Sequence, residues 1–148
     1  MRADIVIARA ERADLDTLTA LALRLWPSQD AGGLRSELAG VWKDGGVFFL
    51  ARRGAEPVGF AQCQLRRDYV EGTGTSPVGY LEGIFVEPSC RRQGVARALA
   101  AACEDWCRGC GCREFASDCE IGNEQSRLFH LRAGFREAGR IICFVKPL

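Results

Sequence analysis

The chain has no surplus of charge in either sense. Its 148 residues carry a formal net charge of +1. No global field therefore draws it to nucleic acid or to an anionic membrane, and a charged ligand must be met by a local cluster. Long apolar runs are missing too, and none approaches the roughly 20 residues of a membrane span. The opening MRADIVIARAERADLD alternates charge with apolar residues and lacks the apolar core of a secretory signal. The expectation is a soluble, cytoplasmic protein without membrane or nucleic-acid partners. Internal repeats, low-complexity segments and long linkers are absent, and the length suits one domain over residues 1–148. Neither G-x-x-x-x-G-K-[ST] nor G-x-G-x-x-G occurs, so the common nucleotide loops are excluded. Histidine occurs once, as His130, and a second spaced Cys/His pair for a zinc finger is missing.

Cysteine, by contrast, is plentiful. There are eight, and five of them (Cys103, Cys107, Cys110, Cys112 and Cys119) lie close together. A zinc site or a redox pair at Cys107 and Cys110 is one reading. The other is a core helix. Ala96, Leu99, Ala100, Cys103, Cys107 and Cys110 fall at helical spacing on one face, where free cysteine serves as a small hydrophobe. We adopt the second and expect no metal.

Periodicity and punctuation give the order β α α β β β α β α β. Residues 4–8 read as a short strand. Residues 14–25 and 33–42 read as helices, the first with Asp14 as N-cap and closed by Trp26-Pro27. Residues 47–52 and 58–65 form a hairpin across Gly54-Ala-Glu-Pro57. After a Gly- and Thr-rich loop come a strand at 79–86, a helix at 94–110, a strand at 114–119, a helix at 123–133 ended by Gly134, and a last strand at 141–145. The strand–helix–strand unit in the second half predicts a mixed sheet with a parallel crossover, in an α/β (α+β) domain.

The segment YLEGIFVEPSCRRQGVARAL carries the chemistry. Glu82 interrupts an apolar strand. Arg91 and Arg92 precede a helix whose positive dipole end repels them. Arg91-Arg92-Gln93-Gly94-Val95-Ala96 makes sense as an anion cradle: unpaired N–H groups at the helix start, a glycine permitting close approach, and two cations beside it. The plain alternative is a surface turn with solvated arginines.

The spacing Arg91-x-x-Gly94-x-Ala96 after a strand resembles the pyrophosphate loop of the GCN5-related N-acetyltransferase superfamily. Asn123, Ser126 and His130, followed by Gly134-Phe135, are similar to that superfamily's downstream helix. Tyr69-Val70, Gly72-Thr73, 75–79, 81–84 and 114–118 resemble the aminoglycoside 6'-N-acetyltransferases. The likeness runs from Trp26 to the expected C-terminal strand at 141–145 and is densest from Tyr69 to Phe135.

The resemblance implies a single acetyltransferase domain with a mixed, mostly antiparallel central sheet flanked by helices. It implies acetyl-CoA as cosubstrate without metal, an aminoglycoside antibiotic as acceptor, antibiotic resistance as outcome, and a homodimer. The pyrophosphate would lie on the backbone of 91–96, and the pantetheine arm would run along Ile84, Phe85 and Val86 like an added strand. Asn123 would bind that arm. A polycationic acceptor needs a local acidic pocket: Glu82 and Asp118 match substrate positions, Glu120 could add charge, and Trp26 and Tyr69 would pack on sugar rings. The family often places an acid four positions after the Phe of Gly-Phe. Gly139 stands there, with Glu137 as nearest substitute. The transfer would be direct, within a ternary complex. Glu82 binds the amine and accepts its proton directly or through water. His130, where many members carry tyrosine, is the candidate general acid, and Ser126 a weaker one. Each of these residues also has an ordinary structural alternative, such as a core tryptophan or a solvated helix histidine. Rival functions are acetylation of a polyamine or a protein N-terminus, or CoA sensing without turnover.

Overall fold

The structure, a computed structural model, describes residues 4–148. Five strands form one sheet in chain order: β1 (Ile5–Arg9), β2 (Val47–Arg53), β3 (Glu56–Arg66), β4 (Val78–Val86) and β5 (Phe115–Ser117). The first four pair antiparallel, and β5 joins β4 in parallel. Helix α3 (Val95–Gly109) makes the crossover that parallel pairing requires. Helices α1 (Leu15–Leu25) and α2 (Ala31–Lys43) lie between β1 and β2 in the chain, and α4 (Glu124–Arg132) follows β5. The mixed, mostly antiparallel sheet predicted from sequence is therefore present. Among the described residues no helix is long and apolar enough to cross a membrane.

Alternation along β2 sorts the core into two layers. Val47 and Ala51 pack toward α3, whereas Phe48 and Leu50 pack toward α1 and α2. The two faces differ in residue size. Phe48, Phe60 and Phe85 fill the α1/α2 side, while the buried residues on the α3 side are mostly Val, Ala and Cys, with Leu81 and Leu99. Cys63, Cys103, Cys107 and Cys112 all sit there, with Cys63 Sγ 3.4 Å from Cys107 Sγ. Small side chains let α3 lie close on the sheet, which gives these cysteines a packing role. Hydrogen bonding with neighbouring thiols first, and burial after it, push the Cys63 and Cys107 thiols far above their usual range, so they stay protonated.

One irregularity in β4 decides where the site lies. Gln62 of β3 pairs with Gly83, but the next residue, Cys63, pairs with Leu81. Glu82 is thus an extra residue, a β-bulge. The glycines on either side register its effect. A Cβ on Gly79 would run into Cys107 on α3, and one on Gly83 would meet the Trp26 ring at 2.6 Å. Residues four apart in a regular strand share a face. Gly79 and Gly83 face opposite sides because the bulge at Glu82 inverts the alternation.

Three expectations need correction. Residues 141–145 form no strand within the chain: Ile141, Ile142, Phe144 and Val145 are exposed. Their β-branched and aromatic composition suits a strand, but no neighbouring strand in this chain receives them. Cys110 is exposed at the C-terminal end of α3 rather than on its buried face, because the helix ends at Gly109. Pro57 lies inside β3 rather than in the turn, beside the register shift at Ala51/Arg52 that accommodates a residue without an N–H.

Candidate active site

The loop between β4 and α3 is shaped for an anion. Gly94 has φ +80° with open space where a Cβ would be, and Arg92 has φ +61°, a strained value for a non-glycine residue. Among the described residues, the backbone N–H groups of Arg92 through Arg97 have no protein acceptor; the first bonded one in the helix is Ala98, to Gly94 O. Six donors in sequence at a helix N-terminus, with Arg92 beside them, fit a pyrophosphate. Arg91 works differently. Its Nε donates to Val86 O at 2.9 Å, so it ties the loop to the end of β4. Cys90 is fully buried in the core beneath the loop, which explains its place in the motif.

Beside the cradle, β4 and β5 part. They pair only at Gly79–Phe115, Tyr80–Ala116 and Leu81–Ser117. From the bulge onward, the edge of β4 through Ile84, Phe85 and Val86 has no β5 partner. That edge fits an arm carrying amide groups, as an added strand. At the fork sits His130. Its Nε2 is 2.8 Å from Ser117 Oγ, and its Nδ1 is 2.7 Å from Ser126 O. A carbonyl only accepts, so Nδ1 carries a proton. Nε2 then accepts from the Ser117 hydroxyl when the ring is neutral. When it is charged, Nε2 donates, and Ser117 turns its hydrogen to Leu81 O, 3.2 Å away. Both states are hydrogen-bonded. Ser126 Oγ is 3.4 Å from Nδ1 and is secondary. Asn123 caps α4, its Oδ1 accepting from Ser126 N at 3.2 Å.

On the α1/α2 face a cleft of about 190 Å³ is lined by Trp26, Gln29, Leu34, Glu37, Leu38, Gln62 and Glu82. The bulge delivers Glu82 to it, and Gly83 leaves room for Trp26. Asp118, just past β5, accepts a hydrogen bond from the Tyr80 hydroxyl. Burial first, then this bond and the Asp118 charge, hold the Tyr80 phenol well above its usual value, so it remains a donor. Arg66, at the end of β3, pairs with both oxygens of Glu82. The structure thus assembles Trp26 and Glu82 at the cleft, with Tyr80 joining Asp118 to the same neighbourhood through Arg66. Tyr69 is exposed on the 67–77 loop, its hydroxyl donating to Glu71. Glu120 is exposed. Glu137 is engaged by Arg127 and Arg140 and does not line the cleft.

The comparisons with known proteins fit this geometry. The Acetyltransferase (GNAT) family matches residues 15–135. The chain belongs to this family. Among its relatives, an aminoglycoside N(6')-acetyltransferase type 1 of Stenotrophomonas maltophilia is 43% identical over 144 residues, covering 96% of this chain and 93% of the relative. One of the same name from Klebsiella aerogenes is 38% identical over 148 residues, covering 97% of each. Among solved structures, the aminoglycoside N-acetyltransferase AAC(6')-Iy in complex with CoA superposes with a TM-score of 0.93 at 35% identity, covering 98% of this chain and 96% of that one. The same enzyme with the bisubstrate analogue CoA-S-monomethyl-acetylneamine gives 0.92, covering 98% and 99%.

Several groups at this candidate site were not foreseen from the sequence. Glu37 and Gln62 line the cleft, Ser117 joins His130 to the fork, and Tyr80 and Arg66 flank the carboxylates. Ser117 and Tyr80 each lie within two residues of a residue already singled out, but neighbouring in sequence does not give facing. Glu37 is indistinguishable in sequence from any exposed helical acid.

Proposed function

We propose that this acetyltransferase transfers the acetyl group of acetyl-CoA to the 6'-amine of aminoglycoside antibiotics, conferring resistance. The observation that carries the reading is the pairing of opposites along one strand. The loop after β4 forms an anion cradle at 92–97, and the bulge of β4 presents Glu82 to a cleft that also holds Glu37 and Trp26. Bound acetyl-CoA supplies the activated acyl group. The chain's residues hold it through the backbone of 92–97, the β4 edge at Ile84, Phe85 and Val86, and Asn123. Glu82 and Asp118 bind ammonium groups, while Trp26 and Tyr69 pack on the sugars; Glu120 adds acidic charge, whereas Glu137 is neutralised by Arg127 and Arg140. Glu82 raises the pKa of the amine it holds, so the ammonium gives up a proton, to Glu82 directly or through a water, before its nitrogen attacks the thioester carbonyl. Holding both reactants in register supplies most of the rate. His130, charged, passes a proton at Nε2 through the Ser117 hydroxyl toward the fork, where a leaving thiolate needs it.

A second copy completes this reading as a homodimer. Ile141, Ile142, Phe144 and Val145 in the tail, and Leu128 and Leu131 on α4, are exposed apolar side chains that a second copy would cover. β5 is a short edge strand that a partner's tail could extend. A cytoplasmic location suits eight free thiols.

The deciding experiment is a coupled thiol-release assay with acetyl-CoA and tobramycin or kanamycin, with mapping of the acetylated nitrogen. Release with either antibiotic and modification at the 6' nitrogen are expected. Release with spermidine but not with aminoglycosides would sink the reading.

A further inference from the structure

A cation already stands between the carboxylates that should receive one. Arg66 Nε lies 3.1 Å from Glu82 Oε1 and Nη2 lies 2.9 Å from Oε2, the two-pronged fit of guanidinium to carboxylate. Its central carbon is 3.4 Å from the centre of the Tyr80 ring, and the Tyr80 hydroxyl donates to Asp118. A carboxylate and an aromatic face are what an ammonium group of an amino sugar would seek. The guanidinium is not locked in. The Arg66 side chain is 42% exposed and, among the described residues, bonds no acceptor other than Glu82, whose own side chain is 20% exposed at the cleft. Such a pair can open, since half-exposed ion pairs are held weakly.

We propose that Arg66 is a specificity-determining residue, a resident counter-cation that an acceptor must displace from Glu82 and the Tyr80 face. This rests on the acetyl-transfer reading above. The consequence is a threshold in acceptor charge. An acceptor with one ammonium group exchanges one cation for another and loses the two-pronged geometry, so it gains little. An acceptor with several ammonium groups replaces Arg66 at Glu82 and also meets Glu37 and Asp118. Arg66 therefore selects polycations over simple amines.

The test compares wild type, Arg66→Gln and Arg66→Lys on tobramycin and on 6-amino-6-deoxyglucose, which carries a single amine. In Arg66→Gln, KM for the monoamine should fall roughly tenfold, the size expected when a half-exposed ion pair and its aromatic contact no longer compete. KM for tobramycin should change much less, with kcat retained for both. Arg66→Lys should lie between. In a Glu82→Gln background the Arg66→Gln effect should shrink, because only the Tyr80 contact is left to compete. Unchanged acetyl-CoA affinity and thermal midpoint would show that Arg66→Gln is folded. An unshifted ratio of monoamine to tobramycin KM overturns the proposal. So does a fall in kcat for both acceptors at constant KM, which would make Arg66 an orienter of Glu82. Wild-type silence on tobramycin would instead overturn the acetyl-transfer reading and the Arg66 proposal with it.

Discussion

At Glu82 the neighbouring glycines matter as much as the carboxylate. Gly83 gives Trp26 its place on the strand: a methyl there would lie 2.6 Å from the ring. Gly83→Ala should lower stability by about 1–3 kcal/mol, as overpacking does, and should raise KM for the acceptor while leaving that for acetyl-CoA unchanged. Melting curves and two-substrate kinetics check both. His130 makes a separate prediction. His130→Ala should lower kcat about a hundredfold, the lower range for a general acid, with acceptor KM little changed. Ser117→Ala should lose less, because water can replace a hydroxyl. Full activity of His130→Ala would remove it from the proton path. The sequence marked Glu82, Trp26 and His130, but not Ser117 or Arg66. A hydroxyl and a guanidinium are common on surfaces, and only the fork between β4 and β5 and the bulge at Glu82 give these two a task.

Among the elements, the β4–α3 loop stores conformational strain. Arg92 has φ +61° and Gly94 φ +80°. Gly94→Ala should cost about 1–2 kcal/mol, the penalty for a side chain in the left-handed region, and should raise KM for acetyl-CoA by turning the N–H donors. Arg92→Gly should not destabilise, since glycine accepts that φ, yet it should weaken acetyl-CoA binding through the lost charge. Opposite stability effects at two positions two residues apart distinguish strain from general fragility. The 67–77 loop is tied to β5 by Glu114, which accepts from the Thr75 hydroxyl and the Gly74 N–H. Those bonds, Thr75 first, hold its carboxyl below the ordinary value of 4.5. A depressed pKa gives stability that is present above the unfolded value and lost as pH falls through the folded one. Wild type should therefore exceed Glu114→Gln in thermal midpoint at neutral pH, and the gap should close in acid.

For the whole molecule, residues 140–148 are the element the monomer does not explain. Deleting them should leave the far-UV spectrum intact, because Ile141, Ile142, Phe144 and Val145 bury little in the chain. If the proposed homodimer forms through this tail, the same deletion should leave a monomer by light scattering; a truncated chain that remains dimeric would place the interface elsewhere. Sequence alone determined the order of elements through residue 133, the anion loop and a carboxylate set into an apolar strand. It did so because period, glycine placement and charge are local properties. The layering of small residues against α3, the inversion of β4 at Glu82, the Ser117 link at the fork and the cation resting on Glu82 were decided by tertiary structure. Each depends on which residue faces which across strands far apart in the chain, and one extra residue in a strand changes that facing without changing the pattern from which it is read.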